Sequence, residues 1–209
     1  MTSPLPWRSR LTVSTLCFRH LGLAEALAAV AAAGVGAVDV GGMPGYCEHF
    51  DPAGTTDALE SWAAVVAQSG LRVHTLNVIV GAFNDPLADV AEVERRARHC
   101  LAAAARVGAH GVTFAPGVAV DRNARPLAGE LARVAPRFRV LAQRAQDQGL
   151  VLTFEAPHRG GLIHHAAEAL ALVEACAHPA MKLIFDVGHH LRAGWTLADA
   201  WACVGRHVD

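Results

Sequence analysis

Two short apolar runs late in the chain each end on a carboxylate, with a histidine three residues further on. Val151-Leu152-Thr153-Phe154 leads into Glu155-Ala156-Pro157-His158, and Lys182-Leu183-Ile184-Phe185 leads into Asp186-Val187-Gly188-His189. A carboxylate that closes a buried parallel strand lies on the open carboxyl edge of the sheet, where α/β folds build their sites. Adjacent strands ending this way can bring Glu155, Asp186 and His189 around one divalent cation. Two hard carboxylates with an imidazole suit Mn²⁺, Mg²⁺ or a similar ion, with Zn²⁺ a further option. Such an ion binds adjacent carbonyl and hydroxyl oxygens of a keto sugar and stabilises the enediolate formed when the carbon between them loses a proton. A carboxylate beside it would take that proton. Taken singly, each residue has a plainer role. Asp186 can satisfy turn amides ahead of a helix, and Glu155 can pair with Arg159. Their matched placement, with His189, favours the site.

Further residues supply possible substrate contacts. His158 touches substrate or hydrogen-bonds within its own loop. His74 and Asn77, on an earlier strand, line a sugar pocket if they point inward; core or turn hydrogen bonding is the alternative. Trp195 is the tryptophan placed to face a pocket, whereas Trp7, Trp62 and Trp201 read as packing residues. Glu48 and His49 follow a glycine-rich stretch (41–45) and belong to a solvated loop or a lid. The arginines at 95, 96 and 98 read as a solvated helix face.

Composition excludes several classes. The 209 residues carry a formal net charge of -1, and only 18% are charged. No run of Lys or Arg offers the phosphate-neutralising surface that nucleic acid requires. No apolar stretch approaches a membrane span, and the first residues lack a signal-peptide pattern, which makes the cytoplasm the default location. Five scattered cysteines, with no Cys-x-x-Cys, suit reduced thiols and exclude a thiolate zinc site. Most of the 12 histidines have no partner pattern. A hydrophobic content of 53% suits one domain over residues 1–209 with a large core.

Short β-type runs alternate with Ala-rich helical stretches. Strands are expected at 11–18, 37–40, 71–80, 111–115, 151–155 and 182–186. Helices are expected at 23–33, 56–69, from Asn84-Asp85-Pro86 to about 107, at 127–148 with a break near Pro136, at 166–177, and from a capping box at Thr196–Asp199 onward. Gly34, Gly70, Gly108 and Gly149 mark helix ends. This repetition, with no Gly-x-Gly-x-x-Gly after the first strand, predicts an α/β fold of the (β/α) TIM-barrel type.

The runs at 151–158 and 183–189 resemble the fifth and sixth strands of the xylose isomerase-like barrel superfamily. Leu71-Arg72-Val73-His74-Thr75-Leu76-Asn77 is similar to its third strand, and Ala37-Val38-Asp39-Val40 to its second. The resemblance implies a metal-dependent isomerase or epimerase of a small keto sugar or polyol. Glu155 matches a metal ligand that also moves the substrate proton, Asp186 a second metal ligand, and His189 a substrate-contacting histidine. The family also uses a His from strand seven and a Glu from strand eight, positions beyond Asp209. About six of the eight β/α units of a closed barrel are therefore expected, a C-terminally incomplete domain. Such a barrel leaves open strand edges, so one alternative is a non-catalytic chain acting through a partner, including a homodimer. A phosphodiesterase of the apurinic-site endonuclease kind ranks below both.

Overall fold

The computed structural model describes residues 10–156 and 160–209. Seven strands and seven α-helices alternate along them: β1 (Val13–Ser14), α1 (Leu23–Ala32), β2 (Ala37–Met43), β3 (Cys47–Glu48), α2 (Thr56–Gln68), β4 (Arg72–Val78), α3 (Val90–Arg106), β5 (Gly111–Phe114), α4 (Leu127–Asp147), β6 (Val151–Ala156), α5 (Ala166–Cys176), β7 (Met181–Phe185), α6 (Val187–Arg192) and α7 (Leu197–Val204). Strands other than β3 correspond to the six expected. The marked glycines at 34, 70, 108 and 149 take left-handed φ values of 73°, 68°, 66° and 72°, the conformation that ends a helix without a Cβ penalty.

The chain forms two compact units. One runs to Ile79 and includes Arg96–Val112; the other comprises Val80–Arg95 and Thr113–Asp209. In the first, β2 pairs in parallel with β1 and β4. Val38, Val40, Val73, Leu76 and Val78 are buried, as are Ala26, Leu27 and Val30 of α1 and Leu59, Trp62, Ala63 and Val66 of α2. Register places Ser14 and Thr75 on either side of Asp39. The Ser14 hydroxyl donates to Asp39 Oδ2 at 2.7 Å, and that of Thr75 to Oδ1 at 2.6 Å. Burial nevertheless outweighs these donors and holds the Asp39 carboxyl above its usual range.

Local chemistry explains where elements depart from the expected bounds. The first strand stops at Ser14 because its hydroxyl accepts from Leu16 N and opens a 3₁₀ turn over Thr15–Phe18. Gly41 and Gly42 extend β2 instead of opening a loop, because the chain folds back as β3, antiparallel to β2. Glu48 and His49 are thus neither lid nor free loop. Glu48 accepts from Gly45 N at 3.2 Å, and buried His49 bonds Cys47 Sγ and Leu21 O. Helix α3 begins at Val90, not at Asn84-Asp85-Pro86. Asp85 closes a turn on Leu87 N, and Asp89 accepts from Glu92 N at the helix start. Helix α4 runs through Pro136 without the expected break.

In the second unit β6 pairs in parallel with β7. Phe114, Phe138, Leu152, Phe154, Leu172, Met181 and Leu183 fill its interior. A polar knot lies beside this core. Glu130 of α4, 1% exposed, accepts two bonds from Arg125, at 2.7 and 3.1 Å, and one from Asn84 Nδ2 at 3.1 Å. Burial alone would raise the Glu130 carboxyl; the Arg125 guanidinium and Asn84 amide outweigh it and hold the group below its usual range.

These two carboxyls change stability with pH in opposite senses. The lowered Glu130 stabilises the fold above the ordinary carboxylate range and loses that contribution as pH falls through its folded value. Urea unfolding should therefore show Glu130→Gln less stable than the parent by about 2–4 kcal/mol at pH 7, with the gap closing toward pH 3. The raised Asp39 favours folding only while protonated, so its contribution disappears as pH rises through its folded value. Asp39→Asn should gain on the parent between pH 3 and pH 8 in melting temperature; a gap that shrinks with rising pH would contradict this.

Candidate metal centre

Alternation along β6 buries Leu152 and Phe154 in the core and leaves Thr153 and Glu155 on the opposite face. The Thr153 hydroxyl is buried against that of Thr113 on β5, at 2.7 Å. Glu155 is the penultimate residue of β6, in register with Ile184 of β7. Two residues beyond Ile184 the strand gives way to Asp186, which N-caps the short helix α6. Its Oδ1 accepts from the His189 amide at 2.6 Å. That bond sets the first turn of α6 and with it the origin of the His189 side chain. The imidazole Nε2 comes within 3.2 Å of Glu155 Oε1.

Ligand atoms of Glu155, Asp186 and His189 all lie within 4.8 Å of one another. Donors held about 2.0–2.4 Å from one cation stand no farther apart than roughly twice that distance, so the set fits a single ion. Side-chain exposures of 25% for His189 and 32% for Glu155 leave the cluster open to a small molecule while removing part of its hydration. The cap does not preclude ligation, because a carboxylate has two oxygens and several lone pairs. The plain role considered for Asp186, satisfying turn amides, is therefore compatible with a place in the candidate site.

Of the other residues singled out in the sequence, His158 and Arg159 lie outside the described residues. Trp195 follows α6, half-buried, its backbone N–H donating to His190 O. Asn77 and His74 belong to β4 in the first unit, and an odd spacing of three puts them on opposite faces of the strand. Asn77 shares the face of Thr75. The His74 ring stacks on His110 with centroids 5.1 Å apart and planes 1° from parallel. Both residues therefore cannot line one pocket. The sequence reading missed His190, next to His189. It is buried against the Phe185 ring at 4.4 Å, and burial lowers its pKa from the ordinary histidine value. Trp62 is buried as expected, its indole N–H on His49 O. Trp201 packs its edge on Phe185 but stays half-exposed. Among the described residues no helix is long and apolar enough to cross a membrane.

Alternating strands and helices, with acidic and imidazole groups at two strand ends, define an α/β chain with a candidate metal centre. The profile of the xylose isomerase-like TIM barrel family matches residues 27–207, and the chain belongs to that family. No curated protein matches it by sequence. Among solved structures it is similar to 3-keto-D-glucoside 4-epimerase from E. coli, with 21% identity over 94% of this chain and 75% of that one and a TM-score of 0.75. The probable 3-DHS dehydratase AsbF from Bacillus anthracis matches with 14% identity over 95% and 70%, again with a TM-score of 0.75. A xylose isomerase-like TIM barrel protein from Mycobacterium smegmatis, in complex with magnesium, matches with 18% identity over 95% and 72%, and a TM-score of 0.72. Identities this low establish the shared fold.

The double duty of Asp186 can be separated experimentally. Asn caps a helix about as well as Asp, so Asp186→Asn should retain stability while Mn²⁺ affinity, read by isothermal titration, drops at least tenfold. Asp186→Ala should lose the same affinity and a further ~1 kcal/mol in urea unfolding. Equal stability of the two variants would show that the cap contributes nothing.

Proposed function

We propose that this chain is a divalent-metal-dependent isomerase or epimerase of a small keto sugar or polyol. The convergence of Glu155, Asp186 and His189 on one cation-sized space carries this reading. Glu155 and Asp186 would hold the ion, with His189 completing the set or contacting substrate. When bound, the ion supplies Lewis-acid stabilisation for negative charge developing on adjacent carbonyl and hydroxyl oxygens.

The chain's own residues then account for the proton. Glu155 is a carboxylate at a partly desolvated strand end, and it takes the proton from the carbon next to the carbonyl. His189, whose Nε2 lies 3.2 Å from Oε1 of that carboxylate, orients it. The β6–β7 pairing holds the two groups at this spacing without reorganisation during reaction. Return of the proton to the same face serves a 1,2-isomerisation, whereas epimerisation by opposite-face return calls for a second acid.

Proton removal beside a carbonyl is also the first step in eliminating water from a hydroxy ketone. The similarity to a dehydratase fold keeps that outcome as a second reading. NMR detection of deuterium uptake from D₂O, across a panel of keto sugars with Mn²⁺ present, tests the shared step. Exchange at one carbon is expected for the parent chain and should fall at least a thousandfold in Glu155→Gln. Full exchange in that variant would remove Glu155 from the role. Failure of the parent chain to bind Mn²⁺ at all would favour the alternative of a non-catalytic chain that acts through a partner.

A further inference from the structure

Asn84, marked in the sequence as part of a helix start, is fully buried and spends its side chain elsewhere. Its Oδ1 accepts from Val118 N at 2.9 Å, and its Nδ2 donates to Val118 O at 3.0 Å and to Glu130 Oε2 at 3.1 Å. The amide thus grips both polar atoms of one residue in the segment after β5, a task that needs a donor and an acceptor in one planar group. The approach is close. At Gly117, with φ of 154°, a Cβ would stand 2.4 Å from Asn84 Oδ1.

The gripped segment is in turn joined to the one that follows Glu155. Leu162 N–H donates to Gly117 O at 2.9 Å, Ala119 N–H donates to Gly160 O at 3.4 Å, and Val118 and Gly161 form an antiparallel bridge. Arg122 reinforces the clasp by donating to Leu162 O and, at 3.3 Å, to Glu168. The Glu168 carboxylate also accepts from His164 N at 2.7 Å. Gly160 lies four residues beyond Ala156, the last residue of β6.

We propose that Asn84 is a positioning residue for Glu155: by holding Val118, it anchors Gly160–Leu162 downstream of β6 and so fixes how the Glu155 carboxylate is presented. This rests on the reading of Glu155 as a metal ligand. An amide serving the fold alone could bond Glu130 and its own turn. Here two of its three bonds instead go to Val118, which bridges to Gly161. Only a side chain with both a donor and an acceptor reproduces the grip, which distinguishes Asn84 from the apolar residues packed around it.

Titration of the full chain with Mn²⁺ alone, followed by the loss of the free-ion EPR signal, tests this at a temperature where circular dichroism shows every variant folded. Asn84→Ala should weaken Mn²⁺ binding about tenfold, in the range seen when residues supporting a ligand are removed. Leu172→Ala, a buried truncation in α5 whose side chain makes none of the clasp's hydrogen bonds, should bind Mn²⁺ as the parent does, despite comparable loss of melting temperature. If Asn84→Ala does not fold, Gly117→Ala replaces it. The added Cβ displaces the Asn84 amide while keeping it present, and the same weakening is expected. Unchanged binding in the Asn84 or Gly117 variant overturns the proposal, and so does an equal loss in Leu172→Ala. Equal Mn²⁺ binding by the parent and Glu155→Gln would instead overturn the metal role of Glu155, a separate failure.

Discussion

The hydrogen bond from the His189 amide to Asp186 Oδ1, 2.6 Å long, ties strand end, helix start and candidate metal centre together. A strand that ends in an exposed edge leaves its terminal carboxylate facing water, and a helix that begins there offers orphan amides. Asp186 resolves both needs with one oxygen. The same bond determines where the imidazole three residues later emerges. Because β6 lies in parallel register with β7, that imidazole meets Glu155. Local capping and sheet pairing thus build one cluster from two strand ends, with no long loop required.

Each compact unit carries polar groups inside an otherwise apolar interior, and each satisfies them differently. Asp39 receives two short hydroxyl bonds from neighbouring strands and a favourable field from His74, yet burial dominates and its carboxyl is raised. Glu130 is buried as deeply as any core residue, yet Arg125 and Asn84 reverse the balance. The contrast shows why a charged partner matters more than hydrogen-bond count. Hydrogen bonds from hydroxyls favour the anion, but a directly bonded guanidinium favours it more strongly.

Much of the fold was legible because burial imposes periodicity and glycine ends helices. Six of the seven strands fall where apolar runs predicted them, and the Thr196–Asp199 cap forms as its spacing implied, with Asp199 N on the Thr196 hydroxyl. Misreadings occurred where a side chain served a distant partner. Asn84-Asp85-Pro86 has the composition of a helix start, but the Asn84 amide is drawn to Val118 and Glu130, 34 and 46 residues away. Cys47-Glu48-His49 reads as loop because a two-residue strand has no period to detect. His74 and Asn77 were grouped by proximity in sequence, although an odd spacing on a strand separates them.

The sequence alone determined the identity and edge placement of Glu155, Asp186 and His189. An apolar run is buried along its length, and an acidic residue where that run closes marks the strand end. It also determined the alternation of strand and helix, since the two periods bury different residues. Convergence was decided only by tertiary structure. The distance between two strand ends depends on parallel pairing, register and the turn of α6, none of which is written in either segment by itself. The same holds for the buried knot around Glu130, whose partners become neighbours only when segments far apart in the chain are packed together.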